Sequence, residues 1–355
     1  MTAAADATLV PVPAPVRPWK RTGQTVTRTG AIAVLSVAVS VSLNAATDLD
    51  GILGLYLGLA VALPVLTLLE AVRHGRNLAV DRFAASLVSV AFAAVIIPWV
   101  SIVQTVWTNG SKAFHSRYLT DDMRITPSSD ALNLGGVRHA VIGTLLMVLV
   151  ATAIAVPLGI LSAVYIVEIK GRLAGLVRFL TQAMSGVPSI VAGLFIYSTV
   201  VIFFKGFSAT AGALAYVILM LPTVSRTAEE VLKLVPDDLR SASYALGASQ
   251  ARTTFRVVLP TIASGLVTSA ILGVARVAGE TAPLILTASY FVATSVDLGA
   301  PIASLPIYIF QNIGLGDANA TTRAWGGALV LLGLILVLFV LARTVSARLT
   351  RKRKP

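Results

Sequence analysis

Long apolar segments restrict this chain to one class of fold. Eight of them, each of about 17–25 residues, are long enough to cross a hydrocarbon core of about 30 Å as α-helices. A soluble domain could not bury so much apolar surface, because 56% of the 355 residues are hydrophobic and the mean hydropathy is +0.84. The sequence therefore predicts an all-α polytopic membrane protein, with spans near residues 30–46, 52–71, 84–106, 140–166, 184–204, 209–225, 258–285 and 324–345.

The positive charge of the chain is distributed unevenly over the predicted loops. Its formal net charge is +12, which in a soluble protein would suggest a nucleic-acid partner. With a cytoplasmic N-terminus, 21 of the 28 lysines and arginines lie on the cytoplasmic side and six on the outer side, while Arg276 lies within a span. This asymmetry follows the positive-inside rule. The charge therefore predicts topology, with both termini cytoplasmic and the lipid bilayer as surroundings, and nucleic-acid binding is not needed to explain it.

The remaining organisation follows from the spans. Residues 1–28 are basic and Pro-rich without an apolar stretch, which predicts a disordered cytoplasmic tail. Residues 29–80 predict a transmembrane hairpin, residues 81–348 the main transmembrane domain, and residues 349–355 a basic cytoplasmic tail. The sequence contains no cysteine, which excludes disulfides and cysteine nucleophiles. The outer loop 107–139 holds histidines and carboxylates at spacings unsuited to metal ligation, so we expect no metal site.

A polar stretch at residues 236–260, called the elbow below, interrupts the apolar second half of the chain. Asp237 and Asp238 follow Pro236, an acidic start that favours a helix because it complements the helix dipole. Gly247 can supply the turn at which this helix ends, and a second short helix is predicted over residues 251–258. Two transmembrane spans have little physical need of such a connection unless a partner docks on it. The alternative is an ordinary amphipathic loop.

The elbow resembles the cytoplasmic coupling loop of ABC importer permeases, whose pattern is Glu-Ala-Ala, three residues, Gly, nine residues, Ile, one residue and Leu-Pro. Ser241 stands at the position of the glutamate and Ser243 at that of the second alanine. The resemblance implies that a cytoplasmic ATPase docks here, through Ala242, Gly247, Val257, Leu259, Pro260 and Arg240.

Four further segments indicate which ABC importer permeases the chain resembles. SGVPSIVAGLF, LPTVSRTAEEVLKLVP, YALGA and ARVAGETAPLILTA are similar to the A-type permease subunits of phosphate-specific (Pst) ABC importers, over roughly residues 84–348. The resemblance implies a type I permease core of six transmembrane helices, to which the N-terminal hairpin is an addition. It implies a permease subunit in a bacterial plasma (inner) membrane that forms half of a phosphate path. The implied partners are a C-type permease subunit, a cytoplasmic ATPase dimer and an extracytoplasmic phosphate-binding protein.

The sequence contains no G-x-x-x-x-G-K-[ST] loop for binding nucleotide phosphates. We therefore expect this chain to bind no cofactor and to have no enzymatic activity. ATP and Mg are expected on the separate ATPase subunit.

Arg276 and Glu280 are ionisable residues deep within a predicted span, and their spacing predicts that they share one helix face. A charge at membrane depth costs several kcal/mol on insertion scales, so it is usually paired and functional. In one interpretation the two side chains neutralise each other and fix helix packing. In the other, the planar guanidinium binds phosphate oxygens and Glu280 accepts the proton of HPO4 or H2PO4, which disfavours sulfate. Thr281 and Gly279 would add hydroxyl and backbone contacts.

Four further sequence features predict local structure on this span and on two others. Counted from Val258, Arg276 lies about 27 Å along its helix, which places it towards the outer leaflet unless the helix begins well inside the cytoplasm. Pro283 predicts a kink or helix end at 279–281. Pro188 is tolerable in the first turn of its span. On the sixth span, helical pairing at i, i+3 and i, i+4 is the simplest account of Arg226, Glu229 and Glu230.

Two alternatives to a phosphate permease stay open on the sequence alone. One is a related permease, either for molybdate, sulfate or another oxyanion, or a C-type phosphate subunit. The other is a self-sufficient secondary transporter or channel, which would need internal repeats or several intramembrane ionisable groups. The sequence offers the Arg276–Glu280 pair and no clear repeat. A membrane enzyme is poorly supported, because no nucleophile–base pair or metal cluster lies within a span.

Overall fold

The computed structural model describes residues 23–46, 51–72 and 75–351. Helices make up its regular structure, and no strand occurs in these residues, as the sequence predicts. The turn of the predicted hairpin lies outside the described residues, as do positions 1–22 and 352–355 of the predicted tails. The helices are α1 Gly23–Ala46, α2 Ile52–Val72, α3 Arg76–Gly110, α4 Arg138–Val164, α5 Ala174–Ser185, α6 Ser189–Ile196, α7 Ile202–Phe204, α8 Ala209–Lys233, α9 Asp237–Ala245, α10 Gln250–Thr253, α11 Leu259–Thr261, α12 Ala263–Ala278, α13 Ala282–Ile285, α14 Leu305–Gly314 and α15 Ala318–Arg351.

Six helical segments of the described chain are long and apolar enough to cross a bilayer. Two further pairs of helices pass the same test together but are bent, α5 with α6–α7 by 106° and α10–α11 with α12 by 73°. If each bent pair is one span, the total is eight, the number predicted from the sequence. The six unbent segments are Thr27–Ala45, Leu53–Val72, Arg76–Ala113, Arg138–Ile169, Ala209–Lys233 and Ala318–Thr344.

The chain divides into two compact units, residues 1–103 and 104–355. In the first unit α1 and α2 pack side by side, and the hydroxyl of Ser40 on α1 donates a hydrogen bond to the carbonyl of Leu55 on α2. Arg82, near the start of α3, forms an ion pair with Glu70 on α2. A polar contact thus joins each pair of consecutive helices in this unit, while apolar side chains cover most of their outer surface.

In the second unit, α8 is the most buried of the candidate spans. It packs between α4 and α12 and also contacts α5 and α6. Its first half is rich in alanine and glycine, small residues that let neighbouring helix backbones approach closely. The core around it includes Met147, Tyr216, Met220, Leu284 and Ile302. Every functional element described below is therefore positioned against one central helix.

α12 runs in the opposite direction to α8. Its contacts with α8 move from Val231 to Tyr216 as the chain advances from residue 265 to residue 280. Gly273 is required midway, because a Cβ at this position would come within 2.7 Å of the Val224 side chain. This close packing places the other face of α12, which carries Arg276, at the surface of the unit.

The two bent spans begin later than the sequence predicts. The segment assigned to an inner loop and to the start of span 184–204 is instead a separate helix, α5, and the span itself begins at Ser189. Pro188 precedes its first turn, in an extended conformation that cannot continue the preceding helix. The span predicted at 258–285 begins with α12, after the bend. It ends at Ala278, which confirms the predicted helix end at 279–281.

A buried arginine organises the loops at the end of this unit opposite the elbow. Arg323 on α15 is fully buried. Its guanidinium donates hydrogen bonds to backbone carbonyls of the loop 114–137, namely those of Ser128 (3.2 Å), Asp130 (3.2 Å), Ala131 (2.8 Å) and Leu134 (2.9 Å). In the same loop, the carboxylate of Asp122 accepts a hydrogen bond from the backbone N–H of Thr294 (3.0 Å). The loop 114–137 is therefore a folded surface that is bound both to α15 and to the segment around Thr294.

Replacing Arg323 with methionine should destabilise this end of the protein. The change removes the donors of four carbonyls, and a buried polar group without a partner costs about 1–3 kcal/mol. We expect a lower melting temperature in detergent and faster proteolysis of the loop 114–137. Arg124→Met, at an exposed position of the same loop, is the matched control and should melt as the unmodified protein does. Equal melting temperatures for both variants would contradict the role assigned to Arg323.

Candidate functional site

The elbow has the predicted helix–glycine–helix form. α9 begins directly after Pro236 and ends at Ala245. Gly247 follows with φ +80°, in the left-handed region that glycine enters without steric cost. The second arm starts with Ser249, whose hydroxyl accepts a hydrogen bond from an amide of the next turn. This arm continues through α10 to Thr261, three residues beyond the end predicted from the sequence.

The two arms of the elbow are joined by a pair of hydroxyl groups. The Oγ of Ser243 on α9 lies 2.8 Å from the Oγ1 of Thr253 on α10. Ser243 is the serine that replaces the second alanine of the coupling-loop pattern, and Thr253 is fully buried. The sequence showed this serine only as a departure from the pattern, whereas the structure shows that it holds the angle between the arms.

Glu168, in the helical turn Tyr165–Ile169 that directly follows α4, anchors the elbow to the helical bundle. Its carboxylate accepts hydrogen bonds from Arg240 on α9, the shortest being 2.6 Å from Nη2. Its backbone carbonyl accepts the side-chain amide of Gln250 on α10 at 2.6 Å. One residue therefore binds both arms. The side chains of Glu168 and Arg240 are only 2% and 15% exposed, so solvent screens the ion pair weakly.

Arg240 also ties the elbow to the end of α8. Its Nη1 donates to the carbonyl of Val235 (2.6 Å) and its Nη2 to that of Leu232 (3.2 Å). The hydrogen bond with Glu168 raises the pKa of Arg240 above its ordinary value, although burial acts in the opposite direction. The sequence singled out Arg240 but missed Glu168. The available signal was a lone acid in the basic segment VEIKGR.

The predicted coupling residues fall into two groups. Ala242 and Gly247 are exposed near the tip of the elbow, where Leu246 is 90% exposed and Tyr244 is also exposed. Val257, Leu259 and Pro260 are partly buried. Leu259 packs on an apolar cluster formed by α4, α8 and the second arm. The tip thus presents apolar side chains outward, while the second group joins the elbow to the bundle.

Arg276 and Glu280 do not form the pair that their spacing suggested. Among the ion pairs of the described residues none joins them. The reason is that α12 ends at Ala278, so the two residues are not on one continuous helix. The guanidinium of Arg276 instead donates to the hydroxyl of Thr223 on α8 (Nη1 to Oγ1, 3.3 Å). The backbone carbonyl of Glu280 accepts the hydroxyl of Tyr216 (3.3 Å).

The hydrogen bond to Thr223 locates the guanidinium along the bundle. Thr223 lies ten residues before Lys233, the end of α8, or about 15 Å at 1.5 Å per residue. This is close to the middle of α8. The straight helix from Val258, along which Arg276 would lie at about 27 Å, does not form, because the chain bends by 73° before α12 begins at Ala263.

Most side chains on the face of α12 that carries Arg276 are polar. Ser264, Thr268 and Arg276 are exposed on this face, and the apolar Leu272 lies between the last two. Gly279 and Thr281 continue this face into the gap between α12 and α13, where Gly279 borders open space. A guanidinium near the middle of a span cannot face lipid without a large cost. The face is therefore suited to line a polar path.

No group of three or more histidines, aspartates and glutamates that could hold a metal ion occurs among the described residues. In the loop 114–137 the ring of His115 packs near Tyr118. On α4, the buried ring of His139 lies edge-on to Tyr290 and Tyr308. The two histidines thus have different surroundings, and neither has carboxylates arranged around it as ligands.

Comparisons with known proteins agree with this geometry. Residues 155–351 match the family described as "Binding-protein-dependent transport system inner membrane component". The chain is 40% identical over 269 residues to the phosphate transport system permease protein PstA 1 of Mycobacterium tuberculosis (strain ATCC 25618 / H37Rv), covering 74% of this chain and 86% of that protein. It is 42% identical over 216 residues to the phosphate transport system permease protein PstA of Yersinia pestis, covering 60% and 73%.

Among solved structures, an inward-facing conformation of the MetNI methionine ABC transporter is similar to this one. The TM-score is 0.46 and the sequence identity 21%, and the match covers 62% of this chain and 95% of the MetNI chain.

Replacing Glu168 with glutamine should loosen the elbow. The change removes the charge that Arg240 faces, and breaking a buried ion pair on one side costs about 3–5 kcal/mol. We expect faster amide hydrogen exchange in α9 and α10. Glu230→Gln is the matched control, because Glu230 is 66% exposed and its partner is Lys233. Exchange in α9 and α10 as slow as in the unmodified protein would disprove the anchoring role.

Proposed function

Because the chain belongs to the family of binding-protein-dependent transport system inner membrane components and is 40% and 42% identical to two PstA phosphate permeases, we propose that it is the permease subunit of an ATP-driven phosphate importer. It forms half of the translocation path, and a second, C-type permease subunit forms the other half. The observation that carries the proposal is the guanidinium of Arg276, held at mid-height of the bundle on an exposed polar face.

The surroundings of Arg276 suit a phosphate anion. A guanidinium has five N–H donors, and the described residues accept one hydrogen bond from it, at Thr223. The remaining donors can bind two oxygens of a tetrahedral anion side by side, with the geometry that a lysine lacks. Since no described carboxylate neutralises Arg276, its charge is available to the substrate.

Glu280 provides the discrimination between phosphate and sulfate. It lies just past the end of α12 and is partly buried. As a carboxylate it accepts hydrogen bonds and donates none, so it favours an anion that still carries a proton. HPO4 and H2PO4 have such a proton, and sulfate at neutral pH has none. The backbone near Gly279 and the hydroxyl of Thr281 complete the set of groups around the anion.

The elbow is the contact with the motor. By the positive-inside rule, the excess of lysine and arginine in its loop and in the termini predicts that the elbow lies on the cytoplasmic side. There the apolar tip formed by Tyr244 and Leu246 inserts into a cleft of a cytoplasmic ATPase, which exists as a dimer and binds ATP and Mg. At the opposite end, the folded loop 114–137 receives an extracytoplasmic phosphate-binding protein.

The anchor at Glu168 makes the elbow a lever. When the ATPase subunits close on ATP they move the elbow. The bonds of Glu168 with Arg240 and Gln250 pass this motion to α4, and those of Arg240 with Val235 and Leu232 pass it to the end of α8. Because α8 carries Thr223, the same motion changes the surroundings of Arg276 and exposes it to one side of the membrane at a time.

Arg276→Gln should reduce phosphate uptake by at least about tenfold while the protein still inserts and assembles. Hydrogen bonds to a charged group contribute about 1.5–3 kcal/mol each, and glutamine replaces only part of the fork. Radiolabelled phosphate uptake by the assembled importer measures the effect, and Arg276→Lys separates the need for charge from the need for the fork. Uptake at the unmodified rate in Arg276→Gln would mean that the side chain is merely structural.

The same uptake assay tests the substrate class. Unlabelled phosphate should compete with the label, whereas sulfate and molybdate should not. Preferential competition by either of the latter would assign the chain to another oxyanion. Uptake that persists after loss of the ATPase would favour a secondary transporter.

Gly247→Pro should uncouple ATP hydrolysis from transport. Proline fixes φ near −65° and cannot adopt the +80° observed at this turn, so the two arms must change their angle. The ratio of ATP hydrolysed to phosphate transported should rise in proteoliposomes, with little change in phosphate binding. Gly247→Ala, which is strained by roughly 1 kcal/mol in the left-handed region, should show a weaker effect. An unchanged ratio in the proline variant would show that the elbow is not the coupling element.

A further inference from the structure

A polar cavity lies at the elbow end of α8, apart from Arg276. Its volume is about 450 Å³, room for a small anion with several waters, since each water occupies about 30 Å³ in the liquid. α5 contributes Arg178 and Gln182 to its wall, and α8 contributes Arg226, Glu229, Glu230 and Lys233. Most of the groups that face this cavity are therefore charged, and cations outnumber carboxylates.

The two carboxylates of the cavity already have partners. Glu229 is buried and binds Arg178 and Lys233, each at 3.0 Å. Glu230 binds Lys233 at 3.0 Å. The expectation that Arg226 pairs with these glutamates is therefore wrong. Helical spacing suggested Arg226 as the partner of Glu229, but the observed partner Arg178 is 51 residues from Glu229 in the sequence.

Arg226 is left as the surplus cation of the cavity. Its side chain is exposed, and within the described part of the chain it has neither a hydrogen bond nor an ion pair. It follows Thr223 by three residues, so the two share one face of α8 and lie about 4.5 Å apart along its axis. Thr223 is the partner of Arg276. The two arginines thus stand in succession from the middle of the bundle to its elbow end.

We propose that this cavity is a second oxyanion site, at which phosphate binds after leaving Arg276 and before it enters the cytoplasm. The guanidinium of Arg226 binds two of its oxygens, and the side-chain amide of Gln182, which is exposed in the same wall, donates to a third. Glu230 accepts the proton of the anion, as Glu280 does at the deeper site. This inference rests on the proposed function, because it names the same substrate.

A site at the exit makes import sensitive to its product. Phosphate on the elbow side can re-enter the cavity and occupy Arg226. The next anion then cannot leave Arg276, and import slows. The inhibition by internal phosphate is therefore a property of the cavity, distinct from the affinity of the deeper site for external phosphate.

The test uses the assembled importer, with its ATPase and binding protein, in proteoliposomes loaded with ATP and graded inorganic phosphate. The initial rate of labelled phosphate import is measured against the internal phosphate concentration. Arg226→Gln should lower the import rate a few-fold and raise the half-inhibitory internal concentration at least about tenfold. Gln182→Ala should raise it about threefold. Arg172→Gln, which removes an exposed arginine of the same side outside the cavity, should match the unmodified protein.

Each other outcome has a definite meaning. Equal half-inhibitory concentrations in the unmodified protein, Arg226→Gln and Gln182→Ala would overturn the exit site and leave the phosphate importer intact. An unmodified importer that is insensitive to internal phosphate would overturn it as well. Failure of the unmodified assembly to import phosphate would instead refute the proposed function, and the exit site with it. Internal sulfate should inhibit less than phosphate, and equal inhibition would remove the role given to Glu230.

Discussion

The cost of burying a guanidinium determines how this protein is built. A buried charge is stable only when protein groups replace the water it has lost. Arg323 receives four backbone carbonyls and becomes the fixed centre of a loop. Arg240 receives a buried carboxylate and becomes an anchor. Arg276, which lies beside the middle of α8, receives one hydroxyl from the described residues, and in the proposed function its other donors bind the substrate.

The bend before α12 determines where Arg276 lies. A straight helix from the elbow into the span at 258–285 would carry Arg276 far from the elbow end. The 73° bend turns the second arm of the elbow aside, so that Arg276 stays beside the middle of α8. The same bend leaves the elbow as a separate element, attached through Glu168 and exposed at its apolar tip. In the proposed function, motion of the elbow reaches the guanidinium through α4 and α8.

In the cavity at the elbow end of α8, the pairing of the charged groups matters more for anion binding than their number. The cavity at the end of α8 contains cations and carboxylates, and its attraction for an anion depends on which of them already neutralise each other. Because Glu229 pairs with Arg178 and Lys233, it does not neutralise the charge of Arg226. Within the described residues, Arg226 on α8 is thus a second guanidinium without an ion pair, nearer the elbow than Arg276 on α12. In the proposed function, the two give the anion successive binding positions, each weak enough to be left.

The sequence by itself determined the membrane class, the spans, the position of the elbow and the family. These depend on hydropathy over about 20 residues, on local turn chemistry such as that of Gly247, and on the spacing of a short motif. Only the tertiary structure decided the partners of the charged groups. Helical spacing suggested Glu280 for Arg276, but the helix ends between them, and the observed partner lies 53 residues away. Glu168 pairs with Arg240, 72 residues away in the sequence, because the packing of the helices decides which side chains lie close together.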